Sequence, residues 1–249
     1  MKVHILPLLG LKKSFDILFA IGISFLCVLL SFSVMLESYA AYDFLPTGTE
    51  GQMPLIVIDA GHGGEDVGAV GYNGVYEKDL NLELALTVGQ MLMDEGYCVF
   101  YTRTEDKMLY SDEQNIKGMR KIYDLKNRVS IVNEKKPYIF ISIHMNYFIE
   151  EKYSGFEVYY RVGDEDSRAL AYDVAEEVKL GALPENKRIP KATDEMYLLK
   201  NTSCIAILLE CGFLSNAEEC EKLCQKEYQK QLSFSIVCGM IRYESRNDS

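Results

Sequence analysis

From Pro54 onward, short apolar runs alternate with stretches in which apolar residues recur at helical spacing. Leu55–Asp59, Cys98–Thr102, Tyr138–His144, Phe156–Tyr160 and Cys204–Glu210 read as strands. Several are apolar at consecutive positions, as strands buried on both faces are. Between them Leu80, Leu84, Val88 and Met91 fall on one helical face, with Asp79 as the expected N-cap and Gly96 as the stop. Leu125, Val129 and Val132 repeat that spacing, as do Leu170, Val174 and Val178, and residues 216–243 read as helical again. The alternation predicts a single α/β domain, a mostly parallel or mixed twisted sheet with helices on both faces.

A different pattern precedes this domain. Ile17 to Leu36 is a stretch of 20 residues without a charge, behind Lys2, Lys12 and Lys13, and it is long enough to cross a bilayer core of about 30 Å. The length favours an uncleaved transmembrane anchor over a cleaved signal segment, whose apolar core is shorter, although Ser38-Tyr39-Ala40 resembles a cleavage site. Lysines on the N-terminal side keep that side in the cytoplasm and carry everything after Leu36 outside. The expected organisation is a cytoplasmic 1–16, a membrane segment 17–36, a linker 37–53 with small, Gly and Pro residues, and a catalytic domain 54–249 outside the membrane.

Charge narrows the partners. Residues 1–40 carry three lysines against Asp16 and Glu37, which leaves −12 on the remainder of a chain whose net charge is −11. Such a surface argues against nucleic acid or an anionic membrane as partner. The six cysteines beyond Cys27 sit in apolar or helical patterns at scattered spacing, poor evidence for a disulfide framework. Cys220 and Cys224 lack a second pair and read as helix residues, not metal ligands.

In open α/β sheets ligands sit at the carboxyl ends of the strands. Three strand-like runs end in reactive groups: Asp59 followed by His62, Ser142-Ile143-His144, and Leu209-Glu210. They are expected to converge on one edge. His62 stands in a Gly61-His62-Gly63-Gly64 turn, where glycine lets a ligand approach the backbone. Apart from His4, His62 and His144 are the only imidazoles in the chain. Two histidines and a carboxylate are a recurrent zinc set that keeps a fourth position for water. Asp59, Glu65, Asp66, Glu77 and Glu210 are the candidate carboxylates. Zinc hydrolysis also needs an acid outside the metal shell to take the water proton. We therefore assign His62, Glu77 and His144 to one Zn²⁺, Glu210 to general base and acid, and Asp59 to orienting His62 or its turn. Asn146 is expected either to donate to substrate or to close a turn. The stretch 181–200, with Pro184, Pro190 and several charges, is either one wall of a glycan groove or a solvated connection. A histidine at a strand end is more often structural than a ligand, and these motifs lie far apart in sequence.

Resemblance sharpens the choice. "VIDAGHGGEDVGAVG", "YEKDLNLELAL", "ISIHMN" and "LLECGFLSN", in that order and spacing, resemble the zinc-dependent N-acetylmuramoyl-L-alanine amidases of the amidase 3 group over about Leu55 to Tyr243. That likeness implies zinc on His62, Glu77 and His144, with Glu210 as the catalytic glutamate. It implies peptidoglycan glycan strands with stem peptides as substrate. Ala60 departs from the group, where proline is common. The apolar N-terminal segment, "RTEDKML" and "MYLLKN" are similar to the spore-cortex branch of the group. That branch removes peptide from muramic acid ahead of muramic δ-lactam formation, between forespore and mother-cell membranes. No stretch resembles the inserted autoinhibitory helix of some division amidases, which implies an open groove or control by an accessory activating protein. A zinc peptidase acting on wall peptides and a non-catalytic wall-binding domain are the alternatives.

Overall fold

The computed structural model describes residues 54–247. The segments expected at 1–16, 17–36 and 37–53 lie outside the described residues. Among the described residues no helix is long and apolar enough to cross a membrane.

Six strands form one sheet: β1 (Leu55–Ala60), β2 (Cys98–Tyr101), β3 (Ile139–Asn146), β4 (Glu157–Arg161), β5 (Lys191–Thr193) and β6 (Ile205–Phe213). Their order is β2-β1-β3-β6-β4-β5. β2, β1, β3 and β6 run parallel, β4 is antiparallel to β6, and β5 is parallel to β4, so the sheet is mixed. Among the described residues six α-helices accompany it: α1 (Glu77–Asp94), α2 (Arg120–Lys135), α3 (Glu165–Leu180), α4 (Tyr197–Asn201), α5 (Ala217–Leu223) and α6 (Lys226–Asn247).

Side chains alternate across a strand, and here both faces are covered. Ile56, Ile58, Ile139, Ile141, Ile143, Ile207 and Leu209 pack with Leu84, Val88, Leu170, Val174 and Ile236 of α1, α3 and α6. Val57, Phe140, Ala206 and Leu208 pack on the other side with Val132 of α2 and Leu198 and Leu199 of α4. This accounts for the continuous apolar runs: a strand with helices above and below has no face left for water.

One expectation needs correction, one is refined and one strand was missed. Asp79 is not the N-cap of α1. Tyr76 holds that position without a side-chain bond, and Glu77 is the first helical residue. The orphan N–H groups of Glu77 and Lys78 donate instead to the carbonyls of Ala69 and Val67, at 3.0 and 3.2 Å, so the folded-back loop satisfies what a capping side chain usually would. The helical region 216–243 is two helices, broken between Leu223 and Lys226, where Gln229 Nε2 donates to the Leu223 carbonyl at 2.8 Å. β5 was not foreseen because its three residues are largely exposed and carry no apolar run.

Candidate active site

The carboxyl end of β1 leads into the turn that carries His62. Gly61 precedes it because a Cβ there would lie 2.2 Å from the ring of His144, so only hydrogen fits beneath that imidazole. Gly68, at φ +67, has a side that would meet Glu77 Oε2 at 2.4 Å. His62 itself adopts φ +60, a left-handed conformation uncommon for a residue with a Cβ.

Two buried arginines hold that conformation. Arg128 of α2 donates from Nη2 to the His62 carbonyl at 2.7 Å and from Nη1 to the Ala60 carbonyl at 2.8 Å. Arg103, just past β2, donates to the carbonyls of Ala60 and Gly61, both at 2.9 Å, and of Lys78 at 2.8 Å. Asp59 lies beneath, fully buried. It accepts from Arg128 Nη1 at 2.5 Å, Thr102 Oγ1 at 2.6 Å and Ser142 Oγ at 2.7 Å. Burial works against its charge, but Arg128 and the two hydroxyls hold its carboxyl below the usual range. Asp59 thus acts on the turn through Arg128. Asp66 is the group that reaches the His62 ring, 2.8 Å from Nδ1.

The fold brings three of the sequence-nominated residues to one point. Glu77 Oε1 lies 3.2 Å from His62 Nε2 and 3.0 Å from His144 Nδ1, and one donor atom from each of the three lies within 4.8 Å of the others. Donors on a tetrahedral zinc at 2.0–2.2 Å bonds are about 3.3–3.6 Å apart, so the two distances to Glu77 are close to what a zinc site needs. Among the described residues it is the one His/Cys/Asp/Glu cluster of that kind. Backbone N–H groups of Ala69 and Met145 and the Asn81 amide also donate to Glu77, fixing both its oxygens. Burial opposes the charge of His62, yet Asp66 and Glu77 outweigh it and lift the imidazole to about 9. Burial likewise opposes ionisation of Glu77, and the two imidazoles outweigh it to hold the carboxyl far below its usual range. A cluster that draws a proton this strongly favours a cation for the same reason.

Glu210 on β6 stands directly beside His144 in the sheet. Its Oε2 is buried without a hydrogen-bond partner. Burial, with the charges of Glu77 and Glu157 adding to it, raises its carboxyl to about 8. Asn146 does not face open space: its Nδ2 donates to Glu157 Oε2 at 3.0 Å, and its Oδ1 accepts from Tyr147 N at 2.8 Å. Arg103, Arg128 and Glu157 were not foreseen. Arg128 left a trace, since it lies among Leu125, Val129 and Val132 on a helix face that otherwise reads as apolar. The cysteines of the domain are free, and Cys220 and Cys224 hydrogen-bond the side chain of Asn73 instead of joining a metal-ligand cluster.

Comparison with known proteins gives a consistent family. A family model described as N-acetylmuramoyl-L-alanine amidase (Amidase_3) matches residues 56–242. The germination-specific N-acetylmuramoyl-L-alanine amidase of Bacillus subtilis is 34% identical over 189 residues, covering 76% of this chain and 79% of that protein. The amidase LytC of the same organism is 30% identical over 190 residues, 76% of this chain and 35% of LytC. Among solved structures, the CwlD amidase of Clostridioides difficile, in complex with the GerS lipoprotein, superposes with a TM-score of 0.75 at 36% identity. It covers 78% of this chain and 99% of CwlD. An N-acetylmuramoyl-L-alanine amidase from Clostridium difficile 630 gives 0.68 at 29% identity, over 78% and 98% of the two chains.

Proposed function

The chain belongs to the Amidase_3 family of N-acetylmuramoyl-L-alanine amidases and acts on peptidoglycan, and from that premise we propose how its residues divide the work. His62, Glu77 and His144 hold one zinc ion; their convergence within 4.8 Å is the observation that carries the reading. When bound there, zinc would supply the Lewis acid that activates a water and the scissile carbonyl. Glu210 takes the water proton and delivers it to the nitrogen of L-alanine as that amine leaves. Its unpartnered Oε2 and raised affinity for a proton suit a group that must both accept and return one. Asp66 orients the His62 ring, and Arg128 and Arg103 fix its backbone.

The biological reading is spore-cortex maturation ahead of muramic δ-lactam formation. Its support is the likeness to a germination-specific amidase and to CwlD. Residues 17–36 anchor the chain in a membrane, 37–53 form a linker, and 54–249 work outside the cytoplasm. The solved CwlD is bound to a lipoprotein, and an accessory protein of that kind is proposed here too. Mass spectrometry of products from zinc-loaded protein and purified peptidoglycan tests the reaction. Peptides beginning with L-alanine and glycan with unsubstituted muramic acid are expected. Release of D-alanine or of internal peptide fragments would move the assignment to a peptidase.

A further inference from the structure

Chemistry continues along the sheet edge past Glu210. Glu157 opens β4 opposite Glu210 in the antiparallel register, and Glu210 in turn neighbours His144. Residues directly opposite one another share a face, so His144, Glu210 and Glu157 form one row across three strands. Glu157 is 3% exposed, and the reaction above does not use it. Its Oε1 accepts from Arg188 Nη1 at 2.5 Å and from Lys191 Nζ at 2.6 Å. Its Oε2 accepts from Asn146 Nδ2 and Tyr159 Oη at 3.0 and 3.1 Å.

Two cations meet on this one carboxylate, with Glu219 also within electrostatic reach of Arg188, in a chain whose net charge is −11. Arg188 is held in place: Nε donates to the Ser154 carbonyl at 2.6 Å, and the guanidinium lies 4.4 Å from the centre of the Phe213 ring. The Lys191 side chain is 51% exposed. Arg188 also borders a cavity of about 590 Å³ lined by Lys152, Lys187 and Lys222 together with Glu185, Glu218 and Glu219. Both signs of charge on its walls suit a peptide that carries amines as well as carboxylates.

We propose that Arg188 and Lys191 bind the carboxylate of the acidic second residue of the stem peptide, the one that follows L-alanine, and so set specificity for the peptide arm. This rests on the amidase reading. The span fits: two strand spacings of about 4.8 Å separate β3 from β4, roughly 10 Å in all. Two extended residues at about 3.4 Å each, plus a hydrogen bond of about 2.9 Å, cover the same distance. A charge-assisted pair of this kind discriminates a carboxylate from its amide about tenfold or more.

The test titrates the zinc-loaded full chain with L-alanyl-γ-D-glutamate and with the corresponding isoglutamine dipeptide. The acid is expected to bind about tenfold more tightly than the amide. Arg188→Gln and, independently, Lys191→Ala should shrink that ratio towards one with zinc content unchanged. The exposed Lys191 keeps the test valid if loss of Arg188 disturbs the fold. On muropeptides, the fall in kcat/KM should be confined to substrates with a free second-residue carboxylate. Equal affinity of the unaltered chain for acid and amide overturns the proposal. So does a parallel loss on both ligands, which would make the cluster only a tie between the 181–200 stretch and the sheet. If no amidase product forms yet the acid–amide ratio persists and disappears in Lys191→Ala, the reaction fails and the binding site stands.

Discussion

His62 and Glu210 separate metal binding from proton transfer. His62→Ala removes one of three donors and should lose both zinc and turnover. Glu210→Gln keeps the shape of the side chain and should retain zinc while turnover falls by about 10²–10⁴. Metal analysis beside a product assay checks the pair, and zinc retained in His62→Ala would overturn the ligand assignment. Glu210 also predicts a pH effect on the metal-free protein. Its carboxyl ionises near 4.5 when exposed but only near 8 in the fold. Between those values the unfolded chain releases a proton that the native state keeps, so stability falls as pH rises through that window. Glu210→Gln removes this liability. It should melt higher than the unaltered protein at about pH 8, by a difference on the order of a few kcal/mol at most, and no differently near pH 4. Equal melting at both values would show that Glu210 is not buried as charged-averse as described. His62, Glu77, His144 and Glu210 stood out in the sequence because imidazoles are scarce and because strand-like runs end beside them. Asp66 stood out only as one of five candidate metal carboxylates and Glu157 not at all, since nothing in an acid's local sequence reveals which ring or cation it will meet.

Between elements, the site depends on Arg128 joining α2 to the end of β1. Arg128 is 1% exposed and pairs with Asp59 and Asp124, themselves buried. Arg128→Leu leaves Asp59 charged without its partner and should cost about 3–5 kcal/mol in a denaturant melt. Arg128→Lys retains a charge but not the fork that reaches the Ala60 and His62 carbonyls together. It should keep more of the stability while zinc affinity, read by chelator competition, still falls. Full affinity in a folded Arg128→Lys protein would show that the His62 backbone needs no such clamp. The strands and the main helices were legible from apolar spacing. The start of α1 was not, because loop carbonyls of Val67 and Ala69, and no capping side chain, complete it. β5 was invisible for a related reason: its pairing with β4 is made by backbone groups that carry no sequence signature.

For the whole molecule, a metal held by three separate parts of the chain couples binding to folding. His62 follows β1, Glu77 begins α1 and His144 lies on β3, so the unfolded chain cannot present the set, and zinc should stabilise the native state. Chelation is expected to lower the melting temperature by several degrees and to abolish activity, with both restored by added zinc. A melting temperature indifferent to chelator would count against a site of the proposed affinity. Hydrophobic spacing by itself determined that the domain is an α/β sheet with helices on both faces, because periodicity and burial are local properties of the chain. Residue types and motif order determined the amidase family and nominated the metal and acid groups. Only the tertiary structure decided that β4 runs against β6 and so sets Glu157 beside Glu210, that Arg128 crosses from α2 to the β1 turn, and that Asp66 rather than Asp59 meets the His62 ring. Those contacts join residues dozens of positions apart, and their partners are chosen by strand order and side-chain direction, which no single stretch of sequence contains.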